Sequence, residues 1–130
     1  MVEHSSSLRV LVVEDESLIR WSIAETLAHA GHLVIEAEDG ATAVRALTGA
    51  TDPVDAVVLD YRLPDSNDLA LLAALRRLSP GSAVILMTAF GTPEVAQGAL
   101  DLGAYRVVHK PFDMQDLEPL LLEACGASRG

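Results

Sequence analysis

Five short apolar runs alternate along this chain with five stretches of helical periodicity, and that alternation leaves few folds open. The runs are Leu8 to Val13, Leu33 to Ile35, Ala56 to Leu59, Ala83 to Met87 and Tyr105 to Val108. They are apolar almost throughout, instead of alternating with polar residues, which suits strands buried on both faces. Between them, Ile19, Ile23 and Leu27 recur every four residues, and Ala43, Val44 and Leu47 form a second helical stripe. Leu69, Leu72, Ala73 and Leu75 form a third, Val95, Ala99 and Leu102 a fourth, and Leu117, Leu120, Leu121 and Ala124 a fifth that starts near Asp113. The punctuation agrees with this division: Gly31, Pro53, Ser79-Pro80-Gly81 and Gly103 end helical units. Thr92-Pro93 opens one, with Thr as N-cap and Pro in the first turn, where its missing N–H costs nothing. The pattern predicts an α/β domain, a parallel sheet covered by helices on both faces.

Composition narrows the function. At 130 residues, half of them apolar, the chain is one domain with a real core. Its net charge of -10 argues against direct binding of nucleic acid or an anionic membrane, both of which need a basic surface. Cys125 is the single cysteine, which rules out an internal disulfide and fits a reducing compartment. Met1 to Ser7 is a short polar lead without a signal-peptide core, and no apolar run reaches membrane-spanning length. The expectation is a soluble cytoplasmic protein with a disordered lead over 1–7, a domain over 8–125 and a tail or linker start over 126–130. No internal repeat or low-complexity tract interrupts it.

The chemistry gathers at strand ends. Asp60 closes the third apolar run, and Pro64 then holds Leu63 extended before Asp65, Ser66, Asn67 and Asp68 supply turn and cap chemistry. Glu14-Asp15 follows the first run, Thr88 the fourth and Lys110 the fifth. In a parallel sheet these carboxyl ends share one edge, where such folds place their ligands. Singly, each residue has a plain reading: Glu14-Asp15-Glu16 as a solvated helix start, Asp60 as a turn former, Thr88 as a loop cap. Together they are harder to dismiss. Three carboxylates at one edge repel unless some are protonated or a cation joins them. Oxygen ligands favour Mg²⁺, Mn²⁺ or Ca²⁺ over zinc, and few carboxylates with retained waters favour Mg²⁺. Lys110 is the only lysine, and its compact ammonium suits a single phosphoryl oxygen. A metal, a carboxylate nucleophile, a hydroxyl and an ammonium are the parts needed to receive a phosphoryl group.

At this point the sequence resembles the receiver domains of two-component response regulators. The likeness runs from about Leu8 to Leu122 and rests on Val12-Val13-Glu14-Asp15-Glu16, Asp60-Tyr61-Arg62-Leu63-Pro64-Asp65, Met87-Thr88-Ala89 and Lys110-Pro111-Phe112-Asp113. It implies a flavodoxin-like, doubly wound, five-stranded parallel sheet of order 2-1-3-4-5 with five helices. It implies that Asp60 accepts phosphate from the phosphohistidine of a sensor histidine kinase, with Thr88 as switch hydroxyl and Lys110 as phosphate-binding lysine. Asp15 and Asp60, the backbone carbonyl of Arg62, and Glu14 directly or through water, would hold Mg²⁺, with Mn²⁺ able to substitute. Arg62 and Phe90 occupy positions that tune water access to the acyl phosphate. Ile19-Arg20-Trp21, and the run from Met87 through Gly91-Thr92 to Gly103-Ala104-Tyr105, look most like the nitrogen-regulation type, whose receivers usually precede ATPase and DNA-binding domains.

Two positions depart from the usual pattern. Asp68 stands where glycine is usual, and Val107 where the switch aromatic is usual. Tyr105, expected on the same strand face as Val107, and Phe90 are the candidate replacements. Gly98 should weaken the helix that starts at Thr92 by about 1 kcal/mol relative to Ala; it reads either as preparation for movement on phosphorylation or as room for close packing. Leu18 and Trp21 fall off the first helix's core stripe, where a partner would meet them. Homodimerisation on phosphorylation is a further expectation of the family. The rival readings are a phosphate-independent docking or dimerisation module and an aspartyl-phosphate phosphohydrolase. The second needs an Asp two residues after the nucleophile, where this chain has Arg62.

Overall fold

The computed structural model describes residues 7–66, 68–89 and 91–129. Residues 1–6 of the lead expected over 1–7, together with Asn67, Phe90 and Gly130, lie outside the described residues. The elements run β1 (Arg9–Val13), α1 (Ser17–His29), β2 (Leu33–Ala37), α2 (Gly40–Thr48), β3 (Ala56–Asp60) and α3 (Ala70–Leu78). They continue with β4 (Ala83–Thr88), α4 (Pro93–Asp101), β5 (Arg106–His109), a 3-10 turn (Met114–Asp116) and α5 (Leu117–Arg129). All strand pairs are parallel and the sheet order is β2-β1-β3-β4-β5.

Each central strand feeds two cores, because successive side chains point to opposite faces. Val10, Val12, Val58, Ile85 and Met87 meet Ile23 and Leu27 of α1 and Leu117, Leu121 and Ala124 of α5. Leu11, Val13, Val57, Leu59, Val84 and Leu86 meet Ala43 of α2, Leu72 and Leu75 of α3, and Ala99 of α4. β3 and β4 are buried along their whole length. β2 and β5 are not: only Ala37 is buried in β2, and no residue of β5 is. The apolar runs therefore correct to three doubly covered strands and two edges, since an edge strand has a neighbour on one side only and the flanking helices do not overhang it. The start of β1 is also tied to α5 at the far end of the sheet. His32 accepts the Leu8 N–H at Nδ1 (2.9 Å) and meets Glu118 of α5 through Nε2 (2.9 Å).

Local signals acted as their chemistry dictates. Asp39 caps α2 by accepting the Thr42 N–H at 2.8 Å, and Thr92 caps α4 by accepting that of Val95 at 3.2 Å. α1 and α4 each stop at a glycine with positive φ, Gly31 at 94° and Gly103 at 104°. Gly98 faces α3: a Cβ there would lie 2.8 Å from Leu69 Cδ1, so its small size serves close packing. Asp68 needs no left-handed backbone, because no described non-glycine residue has positive φ; its Oδ1 instead accepts the Ala70 N–H at 2.9 Å and starts α3. At the other end α5 continues through Arg129 and does not give way to a tail at Gly126. One glycine costs a helix only about 1 kcal/mol, less than is needed to stop it. Leu18 and Trp21 lie on the outer side of α1, 74% and 57% exposed. Among the described residues no helix is long and apolar enough to cross a membrane.

Candidate functional site

Strand register brings the predicted residues into one row. Val13 pairs with Leu59, Asp60 with Met87, and Thr88 with His109, so Glu14, Asp60, Thr88 and Lys110 emerge together at the carboxyl edge. The backbone is tied across this edge: Glu14 N–H donates to Ala37 O at 3.0 Å, Tyr61 N–H to Met87 O at 2.8 Å, and Lys110 N–H to Thr88 O at 2.9 Å. An open cleft of about 260 Å³ lies above them, lined by Asp15, Glu16, Asp60, Tyr61, Arg62, Thr88, Ala89 and Lys110.

Charge organises the cleft. Lys110 Nζ donates to Glu14 Oε1 at 2.7 Å and lies 3.2 Å from Asp60 Oδ2. Glu14 is fully buried, and its other oxygen accepts the Glu16 N–H at 3.1 Å. Arg20 of α1 supports it from behind, donating to the Glu14 carbonyl at 2.8 Å while also pairing with Glu36 at 3.1 Å. Nothing in the spacing of the sequence marks Arg20 for this role. Asp60 is 6% exposed and Asp15 stands open to solvent. Oxygens of Glu14, Asp15 and Asp60 come within 4.8 Å of one another. The Lys110 ammonium pairs with two of these three carboxylates, which leaves the cluster with excess negative charge. Such a set of hard oxygen donors fits Mg²⁺ or Mn²⁺. Burial, reinforced by the Glu14 charge, pushes Asp60 up to about 6 against the pull of Lys110. Burial acts on Lys110 in the opposite sense, but the hydrogen bond to Glu14 and the charges of Asp60 and Glu14 prevail and raise it above the usual lysine range.

The expected switch positions fare differently. Arg62 is exposed at the rim of the cleft, and its N–H is directed at Asp60 Oδ1 over 3.4 Å. Val107 packs into the core that contains Leu86 and Ala99, whereas Tyr105 packs into the opposite one. The shared strand face expected for Tyr105 and Val107 is therefore corrected. Tyr105 precedes β5, so the period of two does not yet apply to it. Its hydroxyl donates to Glu123 of α5, which also pairs with Arg106 at 3.1 Å. That holds the ring toward α5.

The raised Asp60 has a stability consequence. Its folded value of about 6 exceeds the ordinary 3.8, so the folded state keeps the proton longer. Stability then falls as pH rises between the two values and stays lower above about 6. Asp60→Asn is expected to raise stability at pH 7.5 without divalent metal by about 1 kcal/mol, allowing for solvent screening at the open cleft. The gain should disappear near pH 4. Thermal melts of both proteins at the two pH values check this, and an Asn variant no more stable at pH 7.5 would refute it.

Comparison with known proteins agrees with this geometry. The response regulator receiver domain family matches residues 10–121. The DNA-binding transcriptional regulator NtrC of Escherichia coli (strain K12) is 36% identical over 115 residues, which cover 88% of this chain and 24% of NtrC. The chain thus spans about a quarter of the length of that relative. A CheY-like receiver domain protein from Methanospirillum hungatei JF-1 shares the fold with a TM-score of 0.87 at 24% identity, over 95% of this chain and 97% of that one. The beryllofluoride-activated NtrC4 receiver domain dimer matches with a TM-score of 0.83 at 29% identity, over 92% of this chain and 98% of that one. With four strand ends converging on one acidic cleft and the family matching along nearly the whole fold, the chain belongs to the response regulator receiver domains of two-component systems.

Proposed function

We propose that Asp60 is the phosphoacceptor for a sensor histidine kinase. The observation that carries this reading is the position of Asp60 in the cleft wall, with Lys110 Nζ 3.2 Å away and Thr88 at the end of the next strand. An Asp60 carboxylate oxygen attacks phosphorus in line, the P–N bond of the phosphohistidine breaks, and the imidazole nitrogen leaves with the electron pair. An acyl phosphate remains. A divalent cation bound beside Asp60 offsets the burial and the Glu14 charge that hold its carboxyl up, and so keeps the nucleophile ionised. The Lys110 ammonium and the Thr88 hydroxyl hold phosphoryl oxygens and stabilise the charge that spreads over them. Glu14, Asp15, Asp60 and the Arg62 carbonyl are the groups to hold Mg²⁺, with Mn²⁺ as a substitute. When bound, the ion supplies positive charge against the crowded carboxylates and the phosphoryl group. Arg62, at the rim, shields the acyl phosphate from water.

The domain, over 8–125, acts in the cytoplasm as a switch and not as an enzyme on a separate substrate. The phosphorylated state alters the α4–β5–α5 surface and so controls a partner, an output domain or a second copy of the chain. That the activated NtrC4 receiver is a dimer supports the last of these. A second reading, docking without phosphate, is favoured by Val107, which is packed in the core and offers no ring to swing behind Thr88.

Intact mass after incubation with acetyl phosphate is expected to show one added phosphate with Mg²⁺, none without it, and none for Asp60→Asn. No gain in wild type, with Mg²⁺ binding intact and the cognate kinase also failing, favours the docking module. In the same assay followed over time, Arg62→Ala should lose phosphate faster than wild type, and an equal lifetime counts against shielding. Hydrogen exchange across α4 and β5 should differ with and without beryllofluoride; equal protection removes the proposed output surface.

A further inference from the structure

The loop that follows Asp60 is built more firmly than a connection needs to be. Leu63 and Ser66 exchange backbone hydrogen bonds, Leu63 N–H to Ser66 O at 2.7 Å and Ser66 N–H to Leu63 O at 3.2 Å. This closes a tight turn whose tip is Pro64-Asp65, and buried Leu63 anchors its base. From the tip the Asp65 carboxylate reaches a different element. Its Oδ1 accepts the Gly40 N–H at 2.8 Å and its Oδ2 the Ala41 N–H at 3.0 Å. Asp39 already takes the Thr42 N–H, so three amides of the first turn of α2 are shared by two carboxylates from two loops. The positive end of the helix strengthens both grips. Gly40 is shaped for the contact: a Cβ there would lie 3.1 Å from Asp65 Oδ1 and 3.1 Å from Leu71 Cδ2.

The loop is also a wall of the carboxylate site. Tyr61 and Arg62 line the cleft, and the Arg62 N–H is directed at the Asp60 carboxylate. The turn over 63–66 thus fixes where residues 61 and 62 stand, and Asp65 fixes where the turn stands. We propose that Asp65 is a positioning residue for the Asp60 site, holding the 61–66 loop against the amino terminus of α2 so that the loop and the Asp60 carboxylate are set before a metal ion arrives. This rests on the reading of the cleft as an Mg²⁺-dependent phosphoacceptor. It assigns to an exposed turn residue a role in a site that it does not touch.

The test is Mg²⁺ affinity, measured by NMR titration on wild type, Asp65→Ala, Asp65→Asn and Gly40→Ala. Thermal melts of each run alongside. Removing a residue that orients a metal site weakens the site on the order of tenfold, so that is the loss expected for Asp65→Ala. Asp65→Asn keeps one acceptor oxygen and should recover part of the loss. Gly40→Ala attacks the same contact from the helix side and should weaken Mg²⁺ binding with Asp65 intact. A clamp of purely structural value gives a lower melting temperature with unchanged Mg²⁺ affinity in Asp65→Ala, and that result overturns the proposal. If Asp65→Ala does not fold, the Asn and Gly40 variants decide the matter: wild-type affinity in both overturns it. Wild-type protein that binds no Mg²⁺ overturns the metal-site reading itself, which separates that failure from a failure of Asp65.

Discussion

The structure depends on how one ammonium is shared among crowded carboxylates. Glu14 is fully buried and Asp60 nearly so, and both carry their acids at the ends of strands buried in the sheet. A buried carboxylate without a partner is costly enough that it gives up its charge or the fold gives way. Lys110 answers both at once, at 2.7 Å and 3.2 Å. Because Glu14 and Lys110 stand 96 residues apart, this single contact joins the first strand's end to the last strand's end. The arrangement is incomplete by design, since one positive charge cannot neutralise Glu14, Asp15 and Asp60. What stability loses in the crowded cleft is the same electrostatic imbalance that favours a divalent cation and holds the Asp60 carboxyl above its ordinary range.

Around that cluster the scaffold acts by rigidity. Backbone hydrogen bonds from Glu14, Tyr61 and Lys110 tie each active strand end to a neighbouring strand, so the side chains hang from a fixed edge. The loops are tied in turn: Asp39 and Asp65 both hold the start of α2. On the opposite flank α5 is held twice, by Glu118 on His32 and by Glu123 with Tyr105 and Arg106. Among the described residues, no side-chain tie of this kind is seen between α4 and the loops of the cleft. The contact of α4 with Leu69 depends on the missing side chain of Gly98, and Ala99 is its only buried residue. An element with few buried groups opens at lower free energy than a core strand.

Pattern and punctuation alone determined the fold class, the number of strands, the helix faces and the carboxyl edge on which the chemistry collects. Those properties are local: a buried strand needs an unbroken apolar run, a helix needs a stripe of period 3.6, and Thr92, Asp39, Gly31 and Gly103 carry cap and stop chemistry wherever they occur. The ordered row of Glu14-Asp15, Asp60, Thr88 and Lys110 was legible for the same reason, since the end of each run marks its place. What tertiary structure decided is everything that depends on a neighbour distant in sequence. Which strands became edges followed from sheet order. That Tyr105 and Val107 face opposite cores followed from where β5 begins. Asp68 was accommodated by a loop geometry that the usual glycine does not predict. Arg20 behind Glu14, and Asp65 on the amides of α2, left no trace in spacing, because a hydrogen bond between residues many positions apart exists only once the chain has packed.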